Sequence, residues 1–94
     1  MATYILLGTL TNEGAERMRQ HPDLVRQVQA EMEAMGVTVI AQYAVLGPYD
    51  IITIVEAPDN KSVVRVSMEL SFQGSLKITT LPALSIDEFI ASLR

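Results

Sequence analysis

Four short segments of β-branched and aliphatic residues constrain the fold of this chain most strongly. They lie at residues 3–10, 37–46, 50–57 and 75–84. Runs of this composition and length, bounded by Gly, Pro, Asn or Asp, are typical of β-strands. The sequence therefore predicts four strands, with the second and third joined by a short hairpin connection.

The segments between these strands have apolar residues spaced as in amphipathic helices. The first helix is predicted over residues 22–35. The second is predicted to begin with Asp59 or Asn60 as its cap and to end at Gly74. Residues 85–88, S-I-D-E, form a capping box, which predicts a third, short helix at the C-terminus.

The order of these elements is strand, helix, strand, strand, helix, strand, with one added helix. This order is typical of split βαβ, ferredoxin-like α+β folds. Right-handed crossovers place the first and third strands in the centre of an antiparallel sheet and the second and fourth at its edges. Pro82 in the fourth strand agrees, because proline is tolerated at a sheet edge. Residues 13–20 are interpreted as a polar connection, and residues 1–94 as a single domain.

The strands carry apolar residues on both faces, although two helices cover only one face of a sheet. Strict alternation places Val39, Ala41 and Tyr43 on one face of the second strand, and Ile40 and Ala44 on the other. An uncovered face of this kind exceeds the roughly 300–600 Å² of the largest apolar patch on a typical monomer. The sequence therefore predicts a homodimer packed sheet to sheet, or a higher homo-oligomer. The alternative is that the C-terminal helix covers part of this face.

Composition excludes several classes of function. The chain has no Cys among its 94 residues, which excludes disulfides, zinc fingers, iron–sulfur clusters and thiol catalysis. Its formal net charge of −4 argues against nucleic acid as a partner. The apolar runs are too short to cross a membrane, and the first residues lack the basic flank of a signal peptide. A cytoplasmic protein without a membrane partner is therefore expected.

The hairpin and its surroundings resemble a known family. Residues 46–59, L-G-P-Y-D-I-I-T-I-V-E-A-P-D, are similar to the signature of the GYD-domain family, small bacterial and archaeal proteins named for the Gly-x-Tyr-Asp turn. Residues 3–7, with Leu10, Thr11 and Gly14, resemble the N-terminus of the family, so the likeness covers nearly the whole chain. The family belongs with the dimeric α/β-barrel proteins, so the resemblance implies that fold and a dimer. It implies no reaction, because related barrels include oxygenases, isomerases and effector-binding domains.

Four side chains are candidates for binding a ligand. His21, the only histidine, lies in a polar helix junction, where an exposed or capping role competes with a functional one. Tyr49 and Asp50 lie at the hairpin, where they could bind a ligand, or where Asp50 could accept turn amides. Tyr43 is either a core residue or a group that reaches a ligand.

Two further positions are interpreted as structural. Gly47 and Pro48 belong to the hairpin turn, and Pro48 suits the second position of a type I turn. Glu56 and Asp59 are too few acidic groups to complete a metal site, so neither a metal nor a cofactor is predicted.

The sequence favours a non-catalytic, dimeric binding domain that takes a small apolar ligand or has a regulatory role exerted through another protein. Two alternatives stay open. One is a cofactor-poor oxygenase or isomerase that uses Tyr43, His21 or Asp50. The other is a purely structural protein that forms larger oligomers. An apolar pocket between sheet and helices separates the first two functions from the third, and a titratable group inside it separates an enzyme from a binder.

Overall fold

The computed structural model describes residues 1–94, which build a four-stranded sheet with helices on one face. The elements in chain order are β1 (Ala2–Leu10), α1 (Asn12–Gln20), α2 (Leu24–Ala34), β2 (Thr38–Ala44), β3 (Ile51–Ala57), α3 (Asn60–Phe72), β4 (Leu76–Ala83) and α4 (Ile86–Ser92). The strand order is β2-β3-β1-β4, and all neighbouring pairs are antiparallel. The predicted α+β, ferredoxin-like arrangement is confirmed, with Pro82 in an edge strand. The sheet of the single chain is open rather than closed into a barrel.

The polar segment after β1, which was interpreted from its sequence as a connection, forms a helix, α1. Thr11 caps it, because the Thr11 hydroxyl accepts a hydrogen bond of 2.9 Å from the N–H of Gly14. An ion pair of 2.9 Å between Arg17 and Glu13, one turn apart, lies on its exposed side. The segment has too few apolar residues for a helical periodicity to be visible, so its cap was the one available signal.

Gly14 allows α1 to lie directly against the residue that precedes β4. A Cβ atom at Gly14 would lie only 2.1 Å from the carbonyl oxygen of Ser75. That carbonyl accepts a hydrogen bond of 3.1 Å from the N–H of Thr11. The Arg17 guanidinium donates a hydrogen bond of 2.6 Å to the Ser75 hydroxyl. These contacts join the start of α1 to the start of β4.

The predicted caps of the two later helices are confirmed. A carboxylate oxygen of Asp59 accepts a hydrogen bond of 2.9 Å from the N–H of Ser62, and Ser85 accepts one of 3.1 Å from the N–H of Glu88. The backbone N–H of Ser62, followed by its hydroxyl, holds the pKa of Asp59 below its ordinary value of 3.8. Both helices therefore begin where the sequence predicts.

The core lies between one face of the sheet and helices α2 and α3. Its buried residues come from β1, β3, both helices and the segment before β2: Tyr4, Leu6, Met32, Val37, Val55, Ala57, Val63, Val66 and Leu70. The other face has no helix over it. Helix α4 has no buried residue, and Tyr43 and Leu81 on that face are 59% and 42% exposed. The C-terminal helix therefore does not cover the second face of the sheet.

A β-bulge between Val39 and Ala41 changes which residues of β2 share a face. Val39 lies opposite a buried residue of β3 and packs on the core, whereas Ala41 lies opposite Ile54 on the uncovered face. Because directly opposed residues share a face, the prediction that Val39, Ala41 and Tyr43 lie together is wrong. The extra residue, Ile40, reverses the alternation, so Tyr43 lies on the uncovered face.

Candidate functional site

The face of the sheet that no helix covers is the candidate functional site, and we call it the open face. In the centre of the sheet, Ile5 of β1 lies opposite Ile54 of β3 on one side and Leu81 of β4 on the other. Leu7 lies opposite Ile52 in the same way. The apolar residues of the open face are Ile5, Leu7, Ala41, Tyr43, Ile52, Ile54, Leu81 and Ala83. They form a band that crosses all four strands.

Polar residues surround this apolar band. Glu56 lies opposite Thr3, near the start of β1, and Lys77 lies opposite Thr9, near its end. The two charged groups therefore lie at opposite ends of the open face, and neither forms an ion pair within the chain. An apolar centre with a polar rim is the usual anatomy of a protein–protein interface.

The accessible surface of the chain is large for its mass. It measures 6408 Å² for 10.3 kDa, whereas a compact monomer of this mass exposes about 5,400 Å². The radius of gyration, 14.0 Å, also exceeds the value of about 12 Å expected for a compact domain of this length. The excess, about 1,000 Å², is close to the roughly 800 Å² that each partner buries in a standard protein–protein interface.

The enclosed space between the sheet and the helices is small. It includes a cavity of about 30 Å³ and a neighbouring one of about 20 Å³, which share the lining residues Val28, Gln42, Ile51 and Leu76. More open spaces of about 390 Å³ between α2 and β2, and of about 200 Å³ between α3 and β4, lie at the two sides of the helix layer. The side-chain amide of Gln42 donates a hydrogen bond of 3.1 Å to the hydroxyl of Thr53, so these polar groups pair with each other. Each enclosed cavity has room for about one or two water molecules. A small-molecule substrate of ordinary size does not fit in either of the two enclosed cavities.

Asp50 fastens the loop at residues 45–50 to the end of β1. Its carboxylate accepts a hydrogen bond of 2.8 Å from the N–H of Leu10, and its own N–H donates one of 2.8 Å to the carbonyl of Gly8. Its carbonyl accepts one of 2.9 Å from the N–H of Val45. Amides of the turn were the partners expected for this carboxylate from the sequence, but in the structure its partner is an amide of the neighbouring strand β1.

The loop is longer than the three-residue connection that the sequence suggests. Strand β2 ends at Ala44 and β3 begins at Ile51. Gly47 has a φ of +118°, which favours glycine because other residues rarely adopt it. Pro48 is exposed and Tyr49 is half-buried.

The four ligand-binding candidates lie in three different places. His21 is exposed at the end of α1, where its backbone N–H donates a hydrogen bond of 2.9 Å to the carbonyl of Arg17. Tyr43 lies on the open face, whereas Tyr49 and Asp50 belong to the loop at residues 45–50. The structure therefore does not assemble these side chains into one catalytic group.

Two other features bear on possible partners. The structure contains no group of three or more His, Asp or Glu side chains placed to hold a metal ion. None of its four helices combines the length and the apolar character that crossing a bilayer requires.

Comparisons with known proteins agree with this architecture. A family model described as "GYD domain" matches residues 4–93. A Thermus thermophilus protein named "Glutamine synthetase and cystathionine beta-lyase binding protein" is 45% identical over 95 residues, which cover 100% of each chain. The crystal structure of TTHA0845 from Thermus thermophilus superposes with a TM-score of 0.58 at 23% identity. The match covers 90% of this chain and 95% of that chain, and it supports the fold alone. The chain belongs to the GYD domain family, as its hairpin sequence predicts.

Proposed function

We propose that this protein is a non-catalytic binding protein that self-associates through its open face and attaches, as an assembly, to a metabolic enzyme. The observation that carries the proposal is the apolar band of the open face. Ile5, Leu7, Ile52 and Ile54 lie at its centre, and no helix of the chain covers them. Apolar patches of this extent with a polar rim are typical of protein interaction sites.

The proposed assembly is a homodimer packed sheet to sheet around a two-fold axis, or a multiple of it. In such an isologous interface each chain covers the open face of the other. The excess surface of about 1,000 Å² per chain supports an interface of standard size. Tyr43, 59% exposed in the single chain, would then lie at the edge of the space between two sheets. A small apolar ligand, if the protein binds one, is proposed to lie in that space rather than beneath the helices.

The name of the relative supports a proposal for the identity of the enzyme. That protein is named for binding glutamine synthetase and cystathionine beta-lyase, and it matches this chain over the full length of both. We therefore propose glutamine synthetase as the first partner to test and cystathionine β-lyase as the second. We also propose a cytoplasmic location, because a chain without Cys gains no disulfide in an oxidising compartment. The alternative of an oxygenase or isomerase has less support, because the side chains it would use, Tyr43, His21 and Asp50, lie in three different places.

Purified proteins test the proposed function directly. The intact chain is mixed with glutamine synthetase from the same organism, and the molar mass of the complex is determined by size-exclusion chromatography with light scattering. We expect the two proteins to elute together and the same assay with cystathionine β-lyase to report the second partner. Ala91→Ser, a substitution on the polar side of α4, is the control and should bind the enzyme as well as the parent does. Failure of both enzymes to bind at micromolar concentration would contradict the proposed function.

A further inference from the structure

Helix α3 carries an apolar stripe on the side that faces away from the core. Val64, Met68 and Phe72 are 53%, 68% and 92% exposed. Their spacing of four residues aligns them along one side of the helix. We call these three residues the α3 stripe. A groove of about 470 Å³ lies beside its second half, between Met68, Phe72 and Ile78 of β4. Nothing in the single chain covers this surface.

Helix α4 carries a second apolar stripe that its own chain leaves uncovered. Ile86, Phe89, Ile90 and Leu93 are spaced by three or four residues and are 71%, 49%, 41% and 72% exposed. We call them the α4 stripe. A helix of seven residues is too short to be stable in water by itself. Helix α4 therefore needs a surface on which to pack.

We propose that α4 of one chain packs in parallel along the α3 stripe of a second copy. Charge complementarity selects this arrangement. Helix α3 has Lys61 and Arg65 in its first half and Glu69 in its second, whereas α4 has Asp87 in its first turn and is followed by Arg94. Parallel packing brings Asp87 close to Lys61 and Arg65, and Arg94 close to Glu69. None of these five groups forms an ion pair within its own chain.

The dimensions of the two stripes also match. Seven residues of α4 extend about 10 Å, and Val64 to Phe72 extend about 12 Å along α3. The α4 of the same chain does not occupy this surface, because the α3 stripe and the α4 stripe both remain exposed in the single chain. A second copy is therefore the proposed occupant.

This inference rests on the proposed function in one respect, because it assumes that the protein self-associates. It adds a contact outside the open face, and it does not depend on which enzyme the assembly binds. Variants of the open face and variants of the two stripes therefore report on different contacts. Either contact can fail in experiment without the other.

Sedimentation velocity of charge-reversal variants at low ionic strength tests the proposal. Arg65→Glu and Asp87→Arg are both exposed substitutions, and each is expected to weaken self-association about fivefold. An equimolar mixture of the two variants should recover the affinity of the parent, because the Arg at position 87 of one chain then meets the Glu at position 65 of the other. Phe89→Asp should weaken self-association by about tenfold or more, whereas Ala91→Asp, on the opposite side of α4, should not. Circular dichroism verifies that every variant is folded.

Three outcomes would overturn the inference. In the first, all variants keep the concentration dependence of the parent. In the second, the double variant Arg65→Glu/Asp87→Arg recovers affinity but the mixture of single variants does not, which would place α4 on α3 of its own chain. In the third, Phe89→Asp leaves self-association unchanged but abolishes binding of glutamine synthetase, which would assign the α4 stripe to the enzyme. Recovery in the mixture supports a contact between two copies.

Discussion

At the scale of single residues, Asp50 shows how a family signature can have a structural cause. Three hydrogen bonds of Asp50 join the loop at residues 45–50 to itself and to the end of β1. The carboxylate of Asp50 accepts a hydrogen bond from the N–H of Leu10, a backbone group that β3 does not reach. This arrangement explains an Asp after the Gly-Pro-Tyr segment without any ligand. Ligand binding by Tyr49 or Asp50 stays a prediction.

Replacing Asp50 should therefore lower stability. Asp50→Ala removes the acceptor for the N–H of Leu10 and is expected to cost about 1–2 kcal/mol of the free energy of unfolding. For a domain of this size, that loss lowers the melting temperature by about 5–10 °C. Thermal denaturation followed by circular dichroism measures the shift. Tyr49→Phe, which keeps the ring, is the control and should change little. Equal melting temperatures for Asp50→Ala and the parent would contradict this role.

Asp59 predicts how stability depends on pH at the start of α3. Hydrogen bonds from Ser62 lower the pKa of Asp59 in the folded chain, so the charged carboxylate contributes stability above its unfolded pKa of about 3.8. That contribution is lost as the pH falls through the lower, folded pKa. The destabilisation caused by Asp59→Ala should therefore be full at neutral pH and should shrink below pH of about 3.8. Urea denaturation at several pH values measures it.

The matched control at this position is Asp59→Asn. Asn is also a good N-cap, so this variant should keep most of the stability at neutral pH. It has no carboxylate, so it should not lose the cap contribution on acidification. If the difference in free energy of unfolding between Asp59→Ala and the parent stayed unchanged down to a pH of about 2, the charge of Asp59 would not stabilise α3.

At the scale of elements, most boundaries could be predicted from the sequence, because composition, periodicity and capping residues indicate where strands and helices begin and end. The cap of Asp59 and the capping box at Ser85 gave the starts of α3 and α4. Two features were not predicted from these signals. The bulge at Ile40 inserts one residue without changing the apolar pattern, so Val39 was wrongly predicted to share a face with Tyr43. Helix α1 is held by its contacts with Ser75, which no local pattern shows.

The contact between α1 and β4 gives a prediction at this scale. Gly14→Ala places a Cβ atom at 2.1 Å from the Ser75 carbonyl oxygen, so α1 must shift. We expect a loss of about 3 kcal/mol in the free energy of unfolding. Gly36→Ala is the control: its φ is +86° but its surroundings are open, so only backbone strain of about 1 kcal/mol is expected. Chemical denaturation measures both variants, and a smaller loss for Gly14→Ala than for Gly36→Ala would contradict the close approach.

At the scale of the whole molecule, the shape of the chain follows from covering one face of the sheet. The extents of 50 × 29 × 18 Å describe a slab one sheet and one helix layer thick. Apolar residues on both faces of the strands allowed the sequence to predict an uncovered face. The sequence did not show where α4 would lie, because a short amphipathic helix suits the open face and the surface of a partner equally well. Only the structure shows that α4 leaves Leu81 and Tyr43 exposed.

Two charged substitutions in the sheet distinguish its two faces. Val39→Asp places a carboxylate at a half-buried position that packs on the core and should unfold the chain, because an unpaired charge against an apolar core is costly. Ile54→Asp places the same group on the open face, where it remains in contact with water in the monomer. This variant should stay folded but should lose the self-association that the open face provides. Circular dichroism and light scattering separate the two results. Unfolding of both variants, or of neither, would contradict the assignment of faces by the bulge.

The mass of the intact protein in solution tests the central claim most directly. Light scattering at micromolar concentration should give twice the chain mass of 10.3 kDa, or a higher multiple, because we propose that another copy covers the open face. Under the same conditions Ile54→Asp should give a lower mass while its circular dichroism remains that of the parent. A stable 10.3 kDa monomer of the intact chain would contradict the account.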